Sequence, residues 1–371
     1  MPEVRPVAKA DIPAVAAMFQ RILRRSKDAT TPALEAYLKA IFLDAADFDP
    51  ELASKVHVRD DASVSGFLGV LPLAMEMDGK PLRAAVCGSF VVEAHEDDPF
   101  AGARLLRDVL AGPQDFSFSE TSNDVSTAMW RRMRARVFPD YSLEWIRVMR
   151  PAAFATELAA VRFAPIRALK SLAAPFDALA RRVGNRHEQA WSNYKPLAGK
   201  ADGFIDTDVS EEELTQLIPG FLAPFALRPR WTADQLRTML AHARRKAIHG
   251  ERVQRIVRTK AGKPVGLFIY YGDAGRIGRV VQIMAVPGQE GTVLDRLLKY
   301  ADDGGMAAMR GRTQPALLEA MIGRKFAFVH SSSTVVQSGK PELIEAFASG
   351  SAFVNGLAGE GWTRLIGDRF A

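Results

Sequence analysis

A few residues in this chain have types and spacings that can do chemistry. Glu120 ends a short alternating run, DFSFSE, where a carboxylate at a strand end can serve as a general base if it lines a cleft. Tyr141 follows downstream and can donate a proton, and His95 ends a long apolar run beside an acidic loop. Near the end of the sequence, LAGEGWTRL sets Glu360 two residues before Trp362, an acid and an aromatic that can line a cleft or anchor packing. Two stretches carry small residues where a strand passes into a helix: Gly102-Ala103 in SFVVEAHEDDPFAGARLL, and Gly288, Gly291 and Thr292 in IMAVPGQEGTVLDRLL. The free N–H groups of a helix start, approached through glycine, bind phosphate. Glu96, Asp97 and Asp98 oppose an anion at the first stretch; only Glu290 does so at the second, where Arg296 is close.

The elements that must position these residues recur in one order. Val4–Val7 reads as a strand. Asp11 then caps a helix with apolar residues from Ile12 to Leu23, and a second helix starts at Thr31-Pro32. Strands follow at 57–59, 66–77 and 82–94, the last two joined by Asp78-Gly79, a hairpin turn sequence. A helix (100–110), a strand (115–119), a helix (123–134) and a strand (141–149) complete residues 1–150. From residue 200 to 371 the order returns. Ser210 with Glu213 and Thr232 with Gln235 read as capping boxes, 279–286 as the long apolar strand, 306–310 as a strand and 326–336 as the closing one. Residues 151–199, rich in Ala, Arg and Lys, read as a basic amphipathic helical linker. Its apolar stripe runs through Phe163, Ile166, Leu169, Leu172, Phe176 and Leu179, and Pro165 and Pro175 interrupt it. Alternating strands and helices predict an α/β chain with a mixed sheet in each of two tandem domains.

The order β-α-α-β-β-β-α-β-α-β, with the opening VRPVAKADIPAVAAMF, resembles the GCN5-related N-acetyltransferase superfamily, in its tandem-domain form. The resemblance implies a donor, acetyl-CoA or a longer acyl-CoA, held at the strand–loop–helix stretches: Val91, Val92, Gly102, Ala103 and Arg104 in the first domain, and Ala285, Val286, Gly288, Gly291 and Thr292 in the second. The family's Asn, followed seven residues later by a Tyr that protonates the leaving thiolate, matches Asn123, Ser126 and Trp130 in SNDVSTAMWRRM. An indole N–H cannot replace that acid, which leaves Asn123, Glu120 and Tyr141 as the catalytic candidates. The implied activity is transfer of an acyl group to a small-molecule or other amine acceptor. Two alternatives stand beside it: a Fem-like transferase fed by aminoacyl-tRNA, and a ligand-binding scaffold that has lost the chemistry. For the tRNA reading, Arg181, Arg182 and Arg186 beside Trp191 and Tyr194 offer a basic, aromatic surface.

Composition bounds the rest. The 371 residues exceed one ordinary core, and a formal charge of +6 suits an anionic ligand, an RNA or an acidic membrane surface. The single cysteine, Cys87, builds neither a disulfide nor a thiolate metal site, and no metal is expected. The sequence has no P-loop, no dinucleotide fingerprint after a strand, no HExxH and no GxSxG. It has no stretch long and apolar enough to span a bilayer and opens without a signal-peptide core, which fits a cytoplasmic protein. A homodimer and weak contact with anionic lipid complete the expectations.

Overall fold

The computed structural model describes residues 2–93, 96, 98–163, 165–166, 170–184 and 203–370. His95, Asp97, Leu169, Arg186, Trp191 and Tyr194 lie outside them. Strands are numbered along the chain: β1 (Glu3–Pro6), β2 (Lys55–Val58), β3 (Val64–Met77), β4 (Lys80–Val92), β5 (Phe116–Ser122), β6 (Arg136–Val137), β7 (Leu143–Val148) and β8 (Phe204–Asp208). There follow β9 (Leu227–Pro229), β10 (Arg245–Lys246), β11 (Gly250–Thr259), β12 (Pro264–Tyr271), β13 (Ile277–Ala285), β14 (Ala308–Arg312), β15 (Ala327–His330) and β16 (Ser333–Ser338).

Local rules explain most of these elements. The β3–β4 hairpin turns at Asp78 and Gly79, both at positive φ (51° and 73°), the conformation that a two-residue turn between twisted strands requires. Thr31 accepts the Leu34 N–H and Asn123 the Ser126 N–H, each capping a helix start. Thr232 and Gln235 form the expected reciprocal box. Asp11 departs from expectation: its carboxylate faces away from the helix onto the Arg5 guanidinium and the Ala8 N–H, because a bidentate ion pair outbids a cap. At Ser210 half the box forms, since the Glu213 carboxylate goes to Arg258 instead.

Two mixed sheets result, and their strands correspond one to one. The first runs β1-β2-β3-β4-β5-β16-β6 and the second β8-β11-β12-β13-β14-β7-β15. In each, one parallel pair (β4 with β5, β13 with β14) sits among antiparallel neighbours. The chain is thus α/β with two tandem mixed-sheet units.

The units exchange a strand. The segment expected to close the first sheet, 141–149, supplies β7, which pairs with β14 and β15 of the second sheet. The segment expected as one strand, 326–336, breaks at Ser331-Ser332 into β15, in the second sheet, and β16, which enters the first sheet between β5 and β6. A boundary at residue 150 therefore separates neither sheet from the other. The physical reason is that apolar alternation fixes which face of a strand is buried and says nothing of which sheet receives it. Trp145 of β7 is fully buried in the second core and donates its indole N–H to Arg312 O at 3.1 Å. β9 ties the units again by pairing with the far end of β3.

The linker segment forms two described helices, Pro151–Arg162 and Lys170–Gly184. Asp177 accepts the N–H groups of Ala152 and Ala153, and Arg181 grips Asp302, which fixes the pair on the second unit. Phe163, Phe176 and Leu179 are exposed. Among the described residues, no helix is long and apolar enough to cross a membrane.

Candidate active site

Each parallel strand pair opens into a fork. β4 pairs with β5 over Ala84–Val86 only, then the two diverge. Just beyond, β4 carries a bulge: Ser89 and Phe90 have no partner in the register with β3, and Ser89 sits at φ 52°. A bulge disrupts the ladder locally, and Ser89 and Phe90 line the fork. The fork encloses about 380 Å³, lined among others by Gly88, Ser89, Ser119, Thr121, Trp130 and Glu360. In the second unit β13 bulges at Val281 and parts from β14 after Arg279. That fork is filled by the segment around Gly356, which keeps φ +70° and packs so closely that a side chain there would overlap Val281 O and Gln282. Leu357 N–H donates to Gln282 Oε1 at 3.0 Å, and about 60 Å³ of cavity remains.

Glu120 builds the link between the forks. Side chains alternate along β5, so Ser119 and Thr121 face the open fork while Glu120 faces the smaller cavity. Its buried carboxylate accepts three backbone N–H groups of the late segment, from Gly356 (3.2 Å), Glu360 (2.8 Å) and Gly361 (3.0 Å). This corrects its expected role: Glu120 is an anchor. Burial raises its pKa, opposed by Arg312 and by those N–H donors.

What Glu120 anchors is Glu360. The Glu360 side chain passes over Gly88, where any Cβ would overlap its carboxylate, and accepts the Thr121 hydroxyl. The residue is 6% exposed and lines the open fork. Burial pushes its pKa up to about 7; the Thr121 hydrogen bond pulls the other way and the charge of Glu120 adds to the rise. The sequence offers Glu360 as a cleft-lining or packing residue without saying which cleft. The visible signals were the glycines at 356, 359 and 361 around it and Gly88 inside an apolar strand.

Asn123 lines the open fork, with its side-chain oxygen committed to the cap at 2.9 Å from Ser126 N. Trp130 is buried at the position of the expected acid and lines the same fork. Tyr141 is corrected: its hydroxyl donates to Ala352 O at 2.9 Å inside the Phe138–Phe347 cluster, and burial raises its pKa, so it is no proton donor to either fork. Val91 is a core residue, and Val92 lies against Gly102, which is buried with Met129 and Phe90 beside it. Ala103 follows it in the helix Ala101–Leu110, and Arg104 bonds Asp98 and, at 3.1 Å, His57. Asp98 also accepts the Phe100 N–H, so a carboxylate holds the start of this helix.

In the second unit Ala285 ends β13, and Val286 N–H donates to Val265 O. Gly288 turns at φ +85°, Thr292 bonds Gln289, and Gly291 lies under the Arg324 guanidinium, which is paired with Asp295. Among the described residues no cluster of three or more His, Cys, Asp or Glu can hold a metal ion.

A third cavity, about 330 Å³, lies between the units, with Leu73, Trp231, His242, Leu357 and Trp362 in its wall.

No family model matches the sequence, and no curated protein does. Solved structures do match. A probable N-acyltransferase from Enterococcus faecalis V583, described as a conserved protein of unknown function, aligns over 91% of this chain and 73% of its own, with 11% identity and a TM-score of 0.59. A GCN5-related N-acetyltransferase from Anabaena variabilis aligns over 92% and 74%, at 10% identity and TM-score 0.57. One from Kribbella flavida aligns over 91% and 70%, at 10% identity and TM-score 0.53. What this chain shares with all three is the fold, that of the GCN5-related N-acetyltransferases.

Proposed function

We propose that the chain is an acyl-CoA-dependent N-acyltransferase that works in its first fork with Glu360 as general base. The observation that carries this is the Glu360 carboxyl, set over Gly88 beside the β4 bulge on the wall of the open fork, with its pKa raised by burial. Attack of an amine on a thioester needs a positioned base, donors for the developing oxyanion, and a leaving group that departs easily. Glu360 takes the proton of the attacking amine. The backbone N–H groups at the bulge, Ser89 and Phe90, donate to the thioester oxygen as charge grows on it. A thiolate, with a pKa of about 8.5, leaves without a strong acid, so the Trp130 position does not block the reaction. Gly88 leaves room for the base, and Glu120 holds the segment that carries it.

The test is turnover of acetyl-CoA and longer acyl-CoAs with amine acceptors, alongside calorimetric binding of each donor. Glu360→Gln lowers kcat by roughly 10²–10⁴-fold and leaves donor affinity nearly unchanged. Full activity in that variant removes Glu360 from the mechanism. A second reading, a donor-binding protein without chemistry, is favoured by Asp98 at the first helix start and Trp130 in the fork. It predicts donor binding with no turnover for any acceptor.

A further inference from the structure

Behind the open fork lies the cavity of about 60 Å³, several times the space one water needs. Its wall is highly charged: Glu120, Glu144, Lys246, His249, Arg279 and Arg312 all line it. Most of these groups are committed elsewhere. Glu120 is taken up by three backbone N–H groups. Arg312 donates to Glu120 O, Ser332 and Thr334, and Lys246 to Thr363 O. Glu144 receives both Arg279 and Arg310; burial disfavours its charge, yet the two guanidiniums outweigh that and hold its carboxyl below the usual range.

Among the wall's guanidiniums, Arg279 has donors to spare. A guanidinium carries five N–H donors, and among the described residues this one makes a single hydrogen bond, Nη2 to Glu144 Oε1, at 3.3 Å. Its side chain is 26% accessible, and it lines both the small cavity and the open fork. Around it, Arg312 Nε and Asn355 Oδ1 are buried without a partner. Three guanidiniums (279, 310, 312) and Lys246 thus stand among three carboxylates (120, 144, 360). Burial pushes the His249 pKa down to about 3, and the charges of Arg279, Lys246 and Arg310 add to the fall. A walled site with surplus positive charge and free, forked donors fits a planar carboxylate, which accepts two N–H bonds side by side.

Its position relates it to the reaction. Thr121, Arg279 and Ile366 line both cavities, and Thr121 is the residue bonded to Glu360. We infer that Arg279 binds a carboxylate of the substrate, so that one of the two reactants is itself an acid: an amino acid as acceptor, or a dicarboxylic acyl group on the donor. This rests on the acyltransferase reading for what sits in the fork; the carboxylate site stands on its own geometry.

The experiment is calorimetric binding to the full chain and to Arg279→Met and Arg279→Lys, with two ligand pairs. One pair is succinyl-CoA against butyryl-CoA; the other, with CoA present, is leucine against leucinamide. The expected result is a carboxylate preference of roughly tenfold or more in one pair, abolished in Arg279→Met and partly kept in Arg279→Lys, which retains the charge should the methionine variant fold poorly. Preference in the first pair assigns the carboxylate to the donor, and in the second to the acceptor. Equal binding within both pairs, or a preference that survives Arg279→Met, overturns the inference. If no acyl-CoA binds, the acyltransferase reading fails, while the leucine pair, run without CoA, still tests Arg279.

Discussion

Beyond Val86 the first pair of parallel strands parts around open space; beyond Arg279 the second pair parts around protein. The strand order is the same, and a bulge interrupts the corresponding strand in each unit. What differs is the occupant. The late segment, pinned by Glu120, lays Gly356 and Leu357 into the second fork and sets Glu360 on the wall of the first. One piece of chain therefore closes one site and equips the other. The anion-binding features are divided differently: the first helix start is held by Asp98, whereas the second has Gly291 beneath Arg324. Backbone likeness between two units does not make their chemistry alike.

The sharpest way to break the comparison is to separate the units. A fragment of residues 1–150 lacks β16, leaving β5 and β6 unbridged, and carries β7 with its apolar Trp145 unburied. It is expected to show no cooperative unfolding transition, whereas the whole chain does. A fragment that melts cooperatively would mean that β7 can close its own sheet.

A smaller effect concerns pH. The folded-state pKa of Glu360, about 7, lies above its ordinary value of 4.5, so folding favours the protonated form. The stability linked to it is intact below pH 4.5 and is lost as pH rises through 7, by at most roughly 3 kcal/mol. Glu360→Gln is expected to melt at higher temperature than the natural chain at pH 8 and to lose that advantage at pH 5. Equal melting temperatures at pH 8 would show that the carboxylate is better solvated than its burial implies. In the natural chain, acyl transfer should rise from pH 6 to pH 8 as Glu360 ionises.

The smallest expected effect tests which unit holds the donor. Arg324→Ala removes the guanidinium over Gly291. With the donor in the first fork, acetyl-CoA affinity changes by less than about twofold, whereas a lost phosphate contact would cost about tenfold.

Sequence by itself determined whatever depends on residues a few positions apart. The Asp78-Gly79 turn, the caps at Thr31 and Asn123, the Thr232–Gln235 box and the repeated order of strands and helices all follow from local backbone preference and apolar spacing. The acyltransferase-like order was legible for that reason, and so was the mismatch at Trp130. Even locally, Asp11 and Glu213 left their expected caps once a distant or neighbouring arginine offered a stronger bond. Only the tertiary structure decided which sheet receives β7 and β16, that Tyr141 spends its hydroxyl on Ala352, and that Glu120 anchors while Glu360 faces the fork. Glu120 and Glu360 lie 240 residues apart. No local pattern encodes that pairing: it forms because buried N–H groups must find acceptors and buried carboxylates must find donors, and the search is settled across the whole fold.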